Sequence, residues 1–224
     1  LHTYREDSLA RLQRTERLAT VGQFAASIAH ELRNPLGVIE SSSFLLRKRI
    51  GEPTDAVSRH LDKIDAQVRV SNRIITGLLD LVRDVPATPR EVPAQELLAA
   101  ALEAAPQCTQ RVEVSAEPGI HVLVDPDQFR QILVNLLTNA CDAASPAGRV
   151  AASLRADGPD AVFVVSDDGP GIAPEIQARL FEPLVSTKVR GIGLGLALCR
   201  RLAERNGARV TLTRGPLRGA AFEV

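Results

Sequence analysis

The 224-residue sequence has no Met, no Trp, a single Tyr and only six Phe, so aromatics make up 3 % of it. Aliphatic side chains must therefore fill any core, and hydrophobic residues at 45 % are enough to build one. Neither sign of charge is in excess: 27 Lys and Arg stand against 27 Asp and Glu, a formal net charge of zero. The basic footprint of a nucleic-acid binder is missing. No apolar run reaches the roughly 18 residues that a membrane-spanning helix needs, and no secretory leader pattern is present. The three cysteines, Cys108, Cys141 and Cys199, are odd in number and lack CxxC spacing. They are expected to be reduced residues of a cytoplasmic protein. With Leu1 first and no Met anywhere, the sequence is expected to be a piece of a longer protein.

Two regions differ in character. Up to residue 85 the only prolines are Pro35 and Pro53, and the pattern is helical. Leu9, Leu12, Glu16 and Ala19 have coiled-coil-like spacing. Ala25, Ile28, Leu32, Leu36 and Ile39 continue as an apolar stripe, with Ser27, His30, Asn34, Gly37 and Ser41 opposite. Breakers at 51–54 end this helix, and a second is expected over 55–84. Two long helices with a short connection form an antiparallel hairpin. One hairpin cannot bury both stripes, whereas two can pair into a four-helix bundle, so a homodimer is expected. From Pro86 onward Pro and Gly become frequent. The run Val85-Pro-Ala-Thr-Pro-Arg90 reads as a linker. Helices are expected over 95–105, 127–144 and 194–206, and strands over 111–115, 121–124, 149–154, 161–165, 209–213 and 220–224. This alternation predicts an α+β sandwich with helices on one face of a mixed sheet.

Four places carry chemistry. His30 lies four residues before Asn34, on the same side of a helix. An imidazole with an ordinary pKa of about 6.5 is a ready nucleophile, and Glu31 beside it can orient or take the ring proton. No second His follows at i+4, which argues against a zinc site. Gln131, Asn135, Asn139 and Asp142 share one helix face, whose amide oxygens suit Mg²⁺. Asp167-Asp168-Gly169-Pro170-Gly171-Ile172 closes a strand with carboxylates that can accept from an exocyclic amine. Its glycines let the backbone approach a flat ring. Finally, Gly191-Ile-Gly193-Leu-Gly195-Leu196 leads into a helix N-terminus suited to phosphate, with Lys188 and Arg190 nearby. It is neither a Walker loop nor a dinucleotide-binding turn, since neither fingerprint is completed.

In their order, these motifs resemble the sensor histidine kinases whose phosphoacceptor helix reads HELRNP. The H box is His30 to Pro35, the N box Asn135 to Ala140 and the first glycine box Asp167 to Ile172. The F box is Phe181-Glu182-Pro183-Leu184, and the second glycine box Gly191 to Leu196. The resemblance covers nearly the whole chain. It implies a signalling helix over 1–20, a dimerisation and phosphotransfer domain over 21–85, a linker at 86–90 and an ATP-binding domain over 91–224. It also implies that His30 accepts a phosphoryl group from ATP and passes it to the Asp of a response-regulator receiver domain. That partner would dock over Ser42, Leu45, Leu46 and the start of the second helix. Glu31 would act as base, and Asn34 would position water for a phosphatase activity. Asn139 would hold Mg²⁺ with Asn135 in support and Asp142 nearby. Asp167 would select adenine, with Gly169, Gly171 and Ile172 shaping the base pocket. Phe181 would anchor the lid, while Lys188, Arg190, Gly191, Gly193, Leu194, Gly195 and Leu196 would meet phosphate. Leu184 stands where Phe is common in the F box.

Two rivals are weaker. A chaperone- or topoisomerase-type ATPase would carry Glu where Asn135 stands, and a silent scaffold module should have lost motif residues.

Overall fold

A computed structural model describes residues 29, 32–50, 54–82, 85–109, 111–145, 147–183, 185 and 193–224. The chain divides into two compact units, Leu1–Asp84 and Val85–Val224.

In the first unit, α1 (residues 32–50) pairs with α2 (Asp55–Val82). Arg33 donates to Thr76 Oγ1 at 3.1 Å, Ser43 Oγ to Asp65 at 2.7 Å and Arg47 to Asp62 at 2.9 Å, so the two helices run antiparallel. The interior seam is narrower than the expected stripe. Ala29, half-buried Leu36 and Ser43 face inward at seven-residue intervals, as do Leu61, Val68 and Ile75 on α2. That is the spacing at which two helices keep one seam in register. Of the other stripe members, Ala25 and Ile28 lie outside the described residues, while Leu32 and Ile39 are 47 % and 45 % exposed, and Val38, Phe44, Leu45 and Leu46 are exposed beside them. A two-helix hairpin has one interior seam, so any second apolar face stays outside.

The second unit is a two-layer sandwich. Its elements are β1 (Arg90–Pro93), α3 (Ala94–Glu103), α4 (Pro106–Thr109), β2 (Val112–Ala116), β3 (His121–Val124), α5 (Pro126–Ala143), β4 (Val150–Asp157), β5 (Asp160–Asp167), α6 (Pro174–Gln177), α7 (Gly195–Arg205), β6 (Thr211–Thr213) and β7 (Ala221–Glu223). The five-stranded sheet has the order β2-β4-β5-β7-β6, with β2 parallel to β4 and the remaining pairs antiparallel. A separate β1–β3 pair is antiparallel. The expected strand and helix segments all appear within a few residues, whereas β1, α4 and α6 are additions.

Local chemistry explains the boundaries. Asp125 caps α5, accepting from the amides of Asp127 and Gln128, and Pro126 takes the first turn, where no amide partner is needed. The β4–β5 hairpin turns on Gly158, whose φ of 62° a side chain would resist. On β4 and β5, Val150, Ala152, Leu154, Phe163 and Val165 face the helices. There they meet a core that includes Phe129, Ile132, Leu133, Leu136 and Leu137 of α5 and Leu198, Cys199 and Leu202 of α7. The Phe129 and Phe163 rings stand 5.2 Å apart. Arg111 donates to the carbonyls of Cys141 in the last turn of α5 and of Ser145 and Gly148 in the connection that follows, tying the two together. Cys108 and Cys141 are joined as a disulfide, with Cα atoms 5.9 Å apart, and Cys199 is free. This corrects the expectation of three reduced thiols. The partners lie 33 residues apart in sequence, and only the packing of α4 on α5 brings them together.

Candidate functional site

Most of the chemistry-bearing residues of the second unit converge at one end of α5 and α7. Asn135 and Asn139 lie one turn apart on the half-exposed face of α5. Opposite them, α7 begins at Gly195. A Cβ built there would stand 3.7 Å from Asn139 Nδ2 and 3.9 Å from Asn135 Oδ1. The side chain of Leu194, at the N-cap, has no acceptor to offer the first-turn amides of α7. Amides that Leu194 leaves uncapped, beside two carboxamides, make a place for an anion. Asn135 is braced from behind by the buried thiol of Cys199, which also reaches the Ile132 carbonyl at 3.7 Å. Burial pushes that thiol up to about 12.

One turn beyond Asn139, α5 meets the first glycine box: a Cβ on Gly169 would lie 2.6 Å from the Ala143 carbonyl oxygen. Asp167, at the end of β5, is 3 % exposed. Its Oδ1 accepts from the amides of Gly169 at 2.8 Å and Ala220 at 3.3 Å. Gly219 closes the other side. Its amide donates to Asp167 O at 2.8 Å, and an added Cβ there would overlap the carboxylate. Gly171, with a φ of 77°, faces Gly219 across the turn, and Ile172 follows half-buried. Asp168 plays a different part: its Oδ2 accepts from the Arg149 amide at 2.8 Å and holds the turn before β4.

The F-box ring of Phe181 stands edge-on to Phe222 of β7, 6.4 Å away at 85°. Gly193, at a φ of 72°, packs so tightly on the backbone of Val185 that a Cβ would overlap it. The two chain ends flanking residues 186–192 therefore touch. Leu194 is buried and Leu196 half-buried at the start of α7. Asp142 is exposed on α5, past Asn139. Asn34 lies exposed on α1, in the other unit. His30, Glu31, Lys188, Arg190 and Gly191 lie outside the described residues. Gly219 is the site residue that the motifs missed. Its signal is a lone Gly placed immediately before the last apolar strand.

Comparison with known proteins identifies two regions of the chain. Residues 20–84 match the His Kinase A (phospho-acceptor) domain. Residues 124–224 match the histidine kinase-, DNA gyrase B- and HSP90-like ATPase family. The sensor histidine kinase ZraS of Salmonella typhimurium is 31 % identical over 220 residues, covering 95 % of this chain and 47 % of that protein. The chain belongs to the two-component sensor histidine kinases. Sensor protein kinase PilS of Pseudomonas aeruginosa is 35 % identical over 219 residues, covering 93 % of this chain and 41 % of PilS. Among solved structures, full-length ShkA in complex with AMPPNP superposes with a TM-score of 0.71 and 27 % identity, over 91 % of this chain and 45 % of ShkA. ThkA in complex with the response regulator protein TrrA shares the fold, with a TM-score of 0.67 at 23 % identity, over all of this chain and 65 % of that one. The chain spans about half the length of the curated relatives it matches. No helix among the described residues is long and apolar enough to cross a membrane.

Proposed function

We propose that this chain is the catalytic core of a sensor histidine kinase: it binds ATP in the sandwich, phosphorylates His30 and passes the phosphoryl group to an Asp of a response-regulator receiver domain. The observation that carries the reading is the meeting of Asn135 and Asn139 with the start of α7, which Leu194 leaves uncapped, next to the buried carboxylate of Asp167. Phosphoryl transfer asks the protein mainly for positioning and charge stabilisation. The base pocket is built from Asp167, Gly169, Gly171, Ile172 and Gly219. There the outer lone pairs of Asp167 accept from the adenine amine, while its inner bonds hold the carboxylate still. Phosphates lie against the first-turn amides of α7, from Gly195, with Leu194 and Leu196 fixing that turn. Gly191 and Gly193 hinge the lid, Phe181 anchors its near end, and Lys188 and Arg190 add positive charge.

The residues present suit Mg²⁺. Among the described residues no group of three or more His, Cys, Asp or Glu could hold a metal. Amide oxygens are hard donors, and Mg²⁺ keeps phosphate and water for its other positions. Asn139 would hold it, with Asn135 and Asp142 nearby, and the ion would neutralise charge on the phosphates.

His30 attacks as a neutral imidazole while Glu31 takes or orients its other proton. The domain limits proposed are a signalling helix over 1–20, a phosphotransfer domain over 21–85, a linker at 86–90 and the ATP domain over 91–224. The exposed apolar face of α1 supports a homodimer closed as a four-helix bundle. The receiver domain docks beside that bundle, over Ser42, Leu45, Leu46 and the start of α2. Asn34, exposed on α1, orients water in this reading, so that a phosphatase activity accompanies the kinase.

The test is transfer of label from γ-labelled ATP with Mg²⁺. Wild type should take an acid-labile, alkali-stable label, and His30→Gln and Asn139→Ala should take none. A label that persists in His30→Gln would overturn the assignment. Asn34→Ala should lose phosphatase activity and keep the label.

A further inference from the structure

The opposite ends of α5 and α7 are joined by a polar cluster that the proposed chemistry does not use. Asp125 is 8 % exposed. Its Oδ1 caps α5, and its Oδ2 accepts from the amide of Thr88 at 2.9 Å and from Thr88 Oγ1 at 3.1 Å. The Asp125 amide donates to Asn206 Oδ1 at 2.7 Å. Asn206, the C-cap of α7, donates through Nδ2 to Gln128 Oε1 at 3.2 Å and to the Leu202 carbonyl at 2.8 Å. Gln128 Nε2 in turn donates to the carbonyls of Val85 and Pro86, each at 3.5 Å. One cluster thus ties together the start of α5, the end of α7 and the first residues after the unit boundary.

The two helices run antiparallel. Asp125 meets Asn206, Ile132 meets Cys199, and Asn135 and Asn139 face Gly195. At 1.5 Å per residue, Asn206 lies about 16 Å along the axis from Gly195, and Asp125 about 15 Å from Asn135. A hydrogen-bonded helix barely shortens along its axis, so a slip at one end is delivered at the other.

We propose that Asn206 is a positioning residue for the nucleotide site: it sets the axial register of α7 against α5, and Thr88 latches the segment after the unit boundary onto the same carboxylate. This rests on the nucleotide reading above. A hinge at residues 86–90 must break the Thr88 and Gln128 bonds before it bends, and opening the latch loosens the site that the clamp holds.

The experiment compares Asn206→Ala, Thr88→Val and Gly158→Ala in the full 224-residue chain. Gly158→Ala strains an open hairpin turn, with nothing within 4 Å of the added Cβ, and it serves as a control for loss of stability alone. Two quantities are read: the Kd of a fluorescent ATP analogue, and hydrogen exchange of the amides at 198–201, the first that are hydrogen-bonded within α7. Asn206→Ala removes one side chain that makes three bonds, and it should raise Kd about tenfold and speed exchange at 198–201. Thr88→Val removes a single hydroxyl bond and should move both in the same direction by about threefold. Gly158→Ala should move neither. The proposal is overturned if Asn206→Ala and Thr88→Val match Gly158→Ala in both readouts, and Thr88→Val alone decides it if Asn206→Ala does not fold. If wild type binds no nucleotide, the functional reading fails, and the exchange comparison still decides the clamp.

Discussion

Gly219→Ala is the sharpest test of the base pocket. The added methyl group would overlap Asp167 Oδ1 and stand 2.5 Å from Asp167 O and 2.6 Å from the Gly169 amide nitrogen. Two of these three neighbours are backbone atoms, so no rotamer change relieves the overlap. The carboxylate cannot turn away either, because Gly169 and Ala220 hold it. Something must shift by about 1 Å, and overpacking of this kind costs about 1–3 kcal/mol. If that strain is released by moving Asp167, the whole cost falls on the bound state, and Kd for ATP rises roughly 5- to 150-fold. If it stays in the folded domain, melting falls by roughly 3–9 °C. Titration with a fluorescent ATP analogue, together with a thermal melt, measures both. Gly158→Ala again serves as the control. Its turn is open, with nothing within 4 Å of the new Cβ, so only backbone strain of about 1–2 kcal/mol is added. The reasoning is refuted if Gly219→Ala both binds ATP and melts like wild type, for then the added methyl meets no rigid neighbour at Asp167.

Three further outcomes are expected. At Asp125, burial opposes the charge, but hydrogen bonds from Thr88, Gln128 and Asp127 outweigh it and hold the carboxyl below its usual range. A lowered folded pKa gives stability above the unfolded value of about 3.9 and loses it as pH falls through the folded value. Asp125→Asn should therefore cost about 1–3 kcal/mol at pH 7, with the gap closing below about pH 4, as denaturant melts at several pH values would show. Burial pushes the Cys199 thiol up to about 12, so maleimide at pH 8 should leave the native protein unlabelled. In denaturant without reductant one thiol should react, and with reductant all three. Phe181→Ala removes the edge contact with Phe222 and should weaken nucleotide binding by about 0.5–1.5 kcal/mol, read as a several-fold rise in Kd with a small change in melting.

Local pattern was enough to place nearly every helix and strand of the sandwich, because each carries its own signal. Asp125-Pro126 announces α5, Gly207 stops α7, and short runs rich in apolar residues mark β4 and β5. The five motifs likewise sit in contiguous runs, each readable without its neighbours. The strand β1 escaped because four residues containing a Pro have no periodicity of their own. It exists through its pairing with His121–Val124, nearly thirty residues on.

The residues that tertiary structure alone decided share that property. Gly219 matters because β7 brings it against Asp167, 52 residues away in sequence. Cys108 and Cys141 pair only when α4 lies on α5, and Asn206 reaches Asp125 only when α7 returns antiparallel along it. Their roles depend on contacts between distant segments, and a one-dimensional pattern records composition and spacing but not which distant surfaces meet. The sequence by itself determined the elements, the motif chemistry and the family resemblance. Tertiary packing decided how the motifs are held, because steric fit and hydrogen-bond geometry act between atoms that the chain has first to bring together.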